Sequence, residues 1–116
     1  RTWTEEITLE AHDQPAAARG YRKVADGQGE WAALALYSLA ELEVSLSRAD
    51  QALAVVAEYM RRFPRGASSE DAAWLRVEIL RTTHKHEAAR DAAADYLRRF
   101  PSGTYAKSAR RLADAP

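Results

Sequence analysis

Two histidines that flank a lysine, His84-Lys85-His86, are the residues of this 116-residue chain most suggestive of chemistry. Imidazole nitrogens bind metals, but a zinc site needs three or four ligands that converge on one point. The third histidine, His12, is far away in the sequence, and there is no cysteine to complete a set. The pattern predicts a turn in which His86 packs partly against its neighbours, with no metal and no cofactor.

Motifs for catalysis are missing from the sequence. It contains no glycine-rich phosphate loop, no Gly-x-Ser-x-Gly turn and no His-Glu-x-x-His motif. Its carboxylates and hydroxyls are scattered without a recognisable constellation. We therefore expect no catalytic residues and a protein that is not an enzyme.

Charge and hydropathy argue against two classes of partner. Lys and Arg together number 17, as do Asp and Glu, so no global positive field attracts nucleic acid. The most apolar stretch, residues 31–46, is interrupted by Glu41 and Glu43, which predicts no membrane insertion. The arginine pairs Arg61-Arg62 and Arg98-Arg99 either form an anion patch or complement a helix dipole, and we favour the second interpretation.

An octapeptide occurs twice. Residues 57–64 read Ala-Glu-Tyr-Met-Arg-Arg-Phe-Pro, and residues 94–101, 37 positions later, read Ala-Asp-Tyr-Leu-Arg-Arg-Phe-Pro. Such self-similarity is typical of repeat arrays, in which each unit buries its apolar face against the next. Tyr59 and Tyr96 are therefore predicted to be equivalent and buried.

Helical periodicity runs through the chain, and no window alternates like a strand. Helices are predicted over residues 13–25, 30–46, 51–63, 68–83, 87–100 and 104–113, with a further short helix near residues 4–7. Asp50 is the predicted N-cap of the third of these six. Pro64 and Pro101 should each end a helix, and Gly66 and Gly103 should give the next turns access to positive φ. Short connections make neighbouring helices antiparallel, so the fold class is all-α.

Helix–turn–helix units of this period, each closed by proline, resemble tetratricopeptide repeats. Aligning the two octapeptides places Ala52 and Ala89 at the small position early in the second helix of each unit. The resemblance implies one domain over residues 1–116, a short right-handed α-solenoid of antiparallel hairpins. Its expected parts are a partial repeat at 13–28, repeats at 29–66 and 67–103, and a capping helix at 104–116.

The stretch Tyr-x-Arg-Arg-Phe-Pro-x-Gly is similar to repeats of bacterial cell-envelope proteins, such as the lipoprotein of the β-barrel assembly machinery and the periplasmic coordinator of the Tol–Pal system. That resemblance implies a periplasmic or cell-envelope location, with the cytoplasm as the alternative. The chain begins at Arg1 without methionine, so we expect it to be part of a longer protein.

A partner-binding face is predicted from register. Tyr37 and Trp74 lie 37 residues apart, and in tetratricopeptide repeats the first helix of each hairpin lines the concave surface. The predicted face contains Tyr37, Glu41, Trp74, Glu78, Arg81 and Arg111. The alternative interpretation is that the aromatics fill the core and the charges form a solvated surface.

The predicted function is a non-catalytic scaffold that binds a protein or peptide on this concave face, within a cell-envelope protein. Two alternatives stay open. One is an oligomerisation domain whose terminal helix packs on a second copy. The other is the periplasmic or regulatory part of a larger signalling protein.

Overall fold

Residues 14–115, which the computed structural model describes, fold into α-helices and contain no strand. The helices are α1 (Gln14–Ala25), α2 (Gly29–Ser45), α3 (Ala49–Arg62), α4 (Ser69–Thr82), α5 (His86–Arg99) and α6 (Ala106–Ala113). The all-α prediction is therefore confirmed for this range. The short helix predicted near residues 4–7 and the predicted start at Asp13 lie outside the described residues.

Each helix packs against the one that follows it in the chain. Three-residue turns join α2 to α3 and α4 to α5, and such short turns require antiparallel neighbours. The molecule is correspondingly elongated, with extents of 53 × 30 × 22 Å. Sequential packing of this kind gives each of the helices α2 to α5 one face turned to its predecessor and another turned to its successor.

Small side chains let the helices approach closely. Ala40, Ala52 and Ala89 are fully buried, as the alignment of the two octapeptides leads one to expect for the second and third of these. The largest fully buried side chains include Tyr59 and Tyr96, each 1% exposed. The core thus combines alanines with branched side chains such as Leu36, Val56 and Val77, and each copy of the octapeptide adds one tyrosine.

The two buried tyrosines make the same hydrogen bond. The hydroxyl of Tyr59 accepts the backbone N–H of Ser68 at 3.0 Å, and that of Tyr96 accepts the N–H of Tyr105 at 2.9 Å. Both N–H groups lie at the start of a helix, where the first donors have no partner within the helix. We call each pair a tyrosine joint. The prediction that Tyr59 and Tyr96 are equivalent and buried is confirmed.

The prolines and glycines of the octapeptide turns lie where expected, although the glycines serve another purpose. Helices α3 and α5 end two residues before Pro64 and Pro101. Positive φ occurs at Gly29, at 83°, and at neither Gly66 nor Gly103. A Cβ at Gly103 would instead stand 2.5 Å from the Tyr96 hydroxyl, and one at Gly66 would collide with the Tyr59 hydroxyl. These glycines make room for the tyrosine joints.

The N-cap prediction for Asp50 is wrong. Helix α3 already begins at Ala49, because Ser47 adopts a left-handed conformation with φ of 58° and ends α2 sharply. The same conformation recurs 37 residues later at His84, with φ of 62°. Backbone bonds, including Arg48 N–H to Glu43 O at 2.9 Å, cap the C-terminus of α2, and Arg48 is the N-cap residue of α3, with no side-chain cap hydrogen bond.

The second arginine of each arginine pair binds the turn of the preceding repeat. Arg62 Nη2 donates to the carbonyls of Ala25 at 2.8 Å and Gly27 at 3.0 Å. Arg99 Nη2 donates in the same way to the carbonyl of Pro64 at 3.0 Å. A favourable interaction with the dipole of its own helix does not account for this role. The acceptors are carbonyls at the end of a preceding helix or in the turn just beyond it.

An ion-pair network reinforces the contact made by Arg62. Glu58 Oε2 accepts from Arg22 Nη1 at 2.9 Å and from Arg62 Nη1 at 2.8 Å. The hydrogen bond from Arg22, followed by that from Arg62, holds the pKa of the Glu58 carboxyl below its usual value despite partial burial. One carboxylate thereby ties α1 to α3.

Replacing Arg62 with alanine should lower the free energy of unfolding by about 1.5–3 kcal/mol, because the carbonyls of Ala25 and Gly27 and the Glu58 carboxylate lose a charged donor. Its exposed neighbour Arg61 provides the control, and Arg61→Ala should change stability by less than about 0.5 kcal/mol. Urea unfolding followed by circular dichroism measures both values. Equal costs for the two variants would contradict the role given to Arg62.

Candidate partner-binding face

The aromatic residues of the predicted face make matching contacts in successive repeats. Tyr37 on α2 meets Tyr59 edge-on, with ring centroids 6.2 Å apart and planes at 69°. Trp74 on α4 meets Tyr96 at 5.7 Å and 64°. Both side chains are half-buried, so each covers a buried tyrosine with one edge and keeps part of its surface in solvent.

The four charged residues of the predicted face do not form one cluster. Glu41, Arg81 and Arg111 are exposed and Glu78 is partly so. Arg81 Nη2 pairs with Glu78 Oε2 at 2.7 Å, one turn apart on α4. Arg111, on α6, lies 3.5 Å from the Ser108 hydroxyl. The charges therefore follow the surfaces of α2, α4 and α6 without converging.

Tyr105 and Asp71 belong to this face, although the sequence reasoning missed them. The Tyr105 ring stacks on Trp74 at 5.1 Å with planes only 3° apart. Its hydroxyl donates to Asp71 Oδ1 at 3.2 Å. Register gives only that Tyr105 lies at the repeat position of Ser68, which does not reveal its contact with Trp74. One face of the Trp74 indole is thus already covered by this chain.

A cleft opens one repeat earlier, between the start of α2, the end of α3 and the turn before α4. Its volume is 360 Å³. We call it the α2 cleft, and it is lined by Gly29, Glu30, Trp31, Ala33, Leu34, Tyr59, Phe63, Gly66, Ala67 and Ser68. Most of these side chains are apolar, and a pocket of this size suits a single apolar group of a ligand.

The outer wall of the α2 cleft is unusually exposed. Trp31 is 77% exposed and Leu34 is 52% exposed. Helix α2 begins three residues earlier in the repeat than α4, so Trp31 lies within the first turn of a helix. Its counterpart Ser68 is instead held in a turn by a tyrosine joint. The extra turn lifts the indole into solvent beside the cleft.

Acidic groups surround the Tyr37 hydroxyl. Burial raises the pKa of Tyr37 to about 12, and the charges of Glu41 and Asp71 add to the shift. Glu30 lies farther along the same helix, in the lining of the α2 cleft. Carboxylates therefore lie beside the exposed aromatic and aliphatic side chains of this part of the surface.

A second depression, of 750 Å³, lies between α1, α2 and α3. It contains the buried carboxylate of Glu43, whose Oε2 is 3.0 Å from Arg48 Nε. Arg19, Lys23 and Asp26 add charges of both signs to its lining. The mixture leaves no single ligand chemistry that the depression would prefer.

Within the described part of the chain, His84 and His86 do not belong to a larger cluster of metal-binding side chains. Both His84 and His86 are exposed, with ring centroids 5.8 Å apart. His86 contacts the other histidine, in place of the packing against neighbouring elements that the sequence predicted. Among residues 14–115, no group of three or more His, Cys, Asp or Glu side chains is placed to hold a metal ion.

Two further findings bear on the class of protein. No helix in the described range combines the length and apolar character needed to cross a bilayer. Comparison with protein-family models gives no match, and neither does comparison with curated proteins.

The environment of Tyr37 predicts a pH dependence. A folded-state pKa near 12 lies above the usual value of about 10, so the native state keeps its proton longer than the unfolded chain. The free energy of unfolding should hold below pH 10 and fall between pH 10 and 12. Tyr37→Phe should make that fall shallower, as measured by urea unfolding across the range.

Removing the nearby charges should lower the pKa of Tyr37. Glu41→Gln and Asp71→Asn each remove a negative neighbour, while Glu87→Gln on exposed α5 surface serves as the control. Ultraviolet difference titration against a matched Tyr37→Phe protein isolates the Tyr37 signal. A Tyr37 that titrates near 10 in the parent protein would refute the acidic, half-buried environment.

Proposed function

We propose that this chain is a non-catalytic scaffold that binds a segment of another protein along the surface of α2 and α4. The fold we propose is a short right-handed α-solenoid of the tetratricopeptide type. Packing in chain order supports it, as does the recurrence of the tyrosine joint, the left-handed turn residue and the arginine contact after 37 residues.

The observation that carries the binding function is the exposed apolar surface of α2. Trp31, Leu34 and Val44 are 77%, 52% and 39% exposed, and Tyr37 lies between them on the same helix. The opposite side of α2 is already buried through residues such as Leu36 and Leu39. A helix with apolar side chains on both sides has one face available to a partner.

Each residue of the predicted face has a role in this proposal. Tyr37 and Trp74 supply aromatic contact area, which dominates the energetics of many interfaces. Glu41 and Asp71 add negative charge beside them. The remaining members, Glu78, Arg81 and Arg111, extend the surface toward the C-terminus with mixed charge. A peptide with complementary charge suits this surface better than nucleic acid does.

The cellular setting we propose follows from resemblance. The Tyr-x-Arg-Arg-Phe-Pro-x-Gly stretch resembles repeats of cell-envelope proteins, so we propose a periplasmic or cell-envelope location for this domain. A cytoplasmic domain is the alternative location. A regulatory domain of a signalling protein would use the same binding surface.

A second candidate function is self-association. Tyr21 and Val24 on α1 are 39% and 49% exposed, which adds apolar surface close to the start of α2. Two copies that packed these surfaces together would form an oligomerisation domain. Sedimentation analysis separates the two functions, since the peptide scaffold is expected to be a monomer at micromolar concentration.

A random dodecapeptide library displayed on phage provides the probe for the scaffold. Peptides selected on the parent protein should bind Trp74→Ala about 30-fold more weakly, because an aromatic hot spot contributes about 2 kcal/mol. Glu41→Arg alters an exposed side chain and should also weaken binding of basic peptides without affecting folding. Isothermal titration calorimetry with synthetic copies gives the affinities.

The control for these variants is Glu87→Arg, an exposed change on α5. Melting temperatures show whether Trp74→Ala remains folded, since that indole also packs on Tyr96 and Tyr105. Selection of no peptide, or equal binding by all three variants, would refute the scaffold. A dimer dispersed by a charge at Leu34 would favour self-association.

A further inference from the structure

The second full repeat contains an occupied version of the α2 cleft. There, Glu70 projects over Gly103, where a Cβ would lie 2.7 Å from its carboxylate, and Glu70 Oε2 accepts the Thr104 N–H at 3.4 Å. The Tyr105 ring covers Trp74, and its hydroxyl binds Asp71. The chain therefore fills this site with one long carboxylate and one aromatic ring of its own.

The first repeat has the same tyrosine joint but lacks the two side chains that fill the site in the second repeat. Ser68 stands where the second repeat has Tyr105, and Ala33 stands where it has Glu70. The backbone is held alike in both, since the two tyrosine joints measure 3.0 and 2.9 Å. The space left by the two smaller side chains belongs to the 360 Å³ cleft.

We propose that the α2 cleft is a specificity pocket for one aromatic side chain of the partner, with a lysine or arginine beside it in the partner's sequence. The proposal deepens the scaffold function and rests on it. The partner's ring takes the place that Tyr105 holds one repeat later, next to Ser68 and above Tyr59. A segment of a second protein thus supplies the aromatic ring that this chain supplies for itself in the next repeat.

The lining selects the type of aromatic ring. Leu34 replaces Asp71, the residue that accepts the Tyr105 hydroxyl in the second repeat. The Tyr59 hydroxyl already accepts the Ser68 N–H. A phenol entering the α2 cleft would leave its hydroxyl without that acceptor, so the pocket prefers phenylalanine to tyrosine.

The charges near the α2 cleft favour basic residues beside the aromatic residue in the partner's sequence. They also argue against a second copy of this chain as the occupant. Glu30 lines the cleft, and Glu41 and Asp71 lie along the adjoining surface. Arg65, in the turn opposite, is exposed and is not part of the lining. If Trp31 of another copy entered, it would bring its own Glu30 to an acidic site. A basic segment avoids that repulsion.

Four synthetic heptapeptides with blocked ends test the pocket. The parent is Gly-Ser-Lys-Phe-Lys-Ser-Gly, and in the others the central residue is alanine or tyrosine, or both lysines are glutamate. NMR titration of the full chain should show binding of the parent peptide that perturbs the Leu34 and Ala67 amides. The alanine and glutamate peptides should bind at least about tenfold more weakly, a difference of about 1.4 kcal/mol.

Protein variants then assign the binding to the cleft. Ser68→Tyr supplies the missing ring at the position equivalent to Tyr105 in the next repeat. It should therefore weaken the affinity for the parent peptide at least about tenfold while the melting temperature is maintained. Ser102→Tyr, a matched control at an exposed turn position outside the cleft lining, should bind as the parent does. If Ser68→Tyr does not fold, Leu34→Asp serves instead: at this exposed position it should reverse the preference from phenylalanine to tyrosine.

The outcomes separate this proposal from the scaffold itself. Equal binding of the phenylalanine and alanine peptides, or binding unaffected by Ser68→Tyr, overturns the pocket. If library-selected peptides still lose affinity on Trp74→Ala, the scaffold stands without it. A parent protein that dimerises, and becomes monomeric on Ser68→Tyr, shows that a second copy occupies the cleft and overturns the proposed partner. If none of the four heptapeptides binds, the pocket is overturned, and if the library also yields no peptide, the scaffold is removed as well.

Discussion

The tyrosine joint is the interaction on which the rest of this structure depends. A buried hydroxyl from the second helix of one repeat accepts the N–H that opens the next helix, at Ser68 and again at Tyr105. It satisfies a helix-start donor that would otherwise need water or a side-chain cap. The joint also requires glycine at positions 66 and 103, because a Cβ there would collide with the tyrosine hydroxyl. The tyrosine ring packs edge-on against Tyr37 in one repeat and against Trp74 in the next. Stability and the candidate binding face share this one element.

The places where the pattern lapses are informative. Arg22 lies at the repeat position of Tyr59 and Tyr96, so no joint forms before α2, and the space around Gly29 is open. Without a joint before it, α2 begins three residues earlier in its repeat than α4 does, and Trp31 is exposed to solvent. Ser68 still donates its N–H to the Tyr59 hydroxyl, but its side chain lacks the aromatic ring that Tyr105 has at the equivalent position. Both departures fall at the α2 cleft, as expected if local irregularities mark a functional site.

Sequence reasoning could predict what the repeat determines. Equivalence of Tyr59 with Tyr96 and the stops at Pro64 and Pro101 follow from register and from proline chemistry. The start of α3 at Ala49 could not be predicted, because it follows the left-handed conformation of Ser47, which helical periodicity does not reveal, and Asp50 therefore lies within the first turn. The stack of Tyr105 on Trp74 was equally hidden, since register gives equivalence and leaves side-chain direction across a turn undetermined.

A double-mutant cycle on Tyr59 and Gly66 tests the central role of the joint most directly. Gly66→Ala should cost about 1–3 kcal/mol because its methyl group meets the Tyr59 hydroxyl, and Tyr59→Phe should cost about 1–3 kcal/mol because the Ser68 N–H loses its acceptor. Together they should cost less than the sum by about 1 kcal/mol, since phenylalanine removes the oxygen that alanine strikes. Gly20→Ala, with open space around it on α1, should combine additively with Tyr59→Phe. Additive losses at Gly66 and Tyr59, or a Gly66→Ala protein as stable as the parent, would contradict the account.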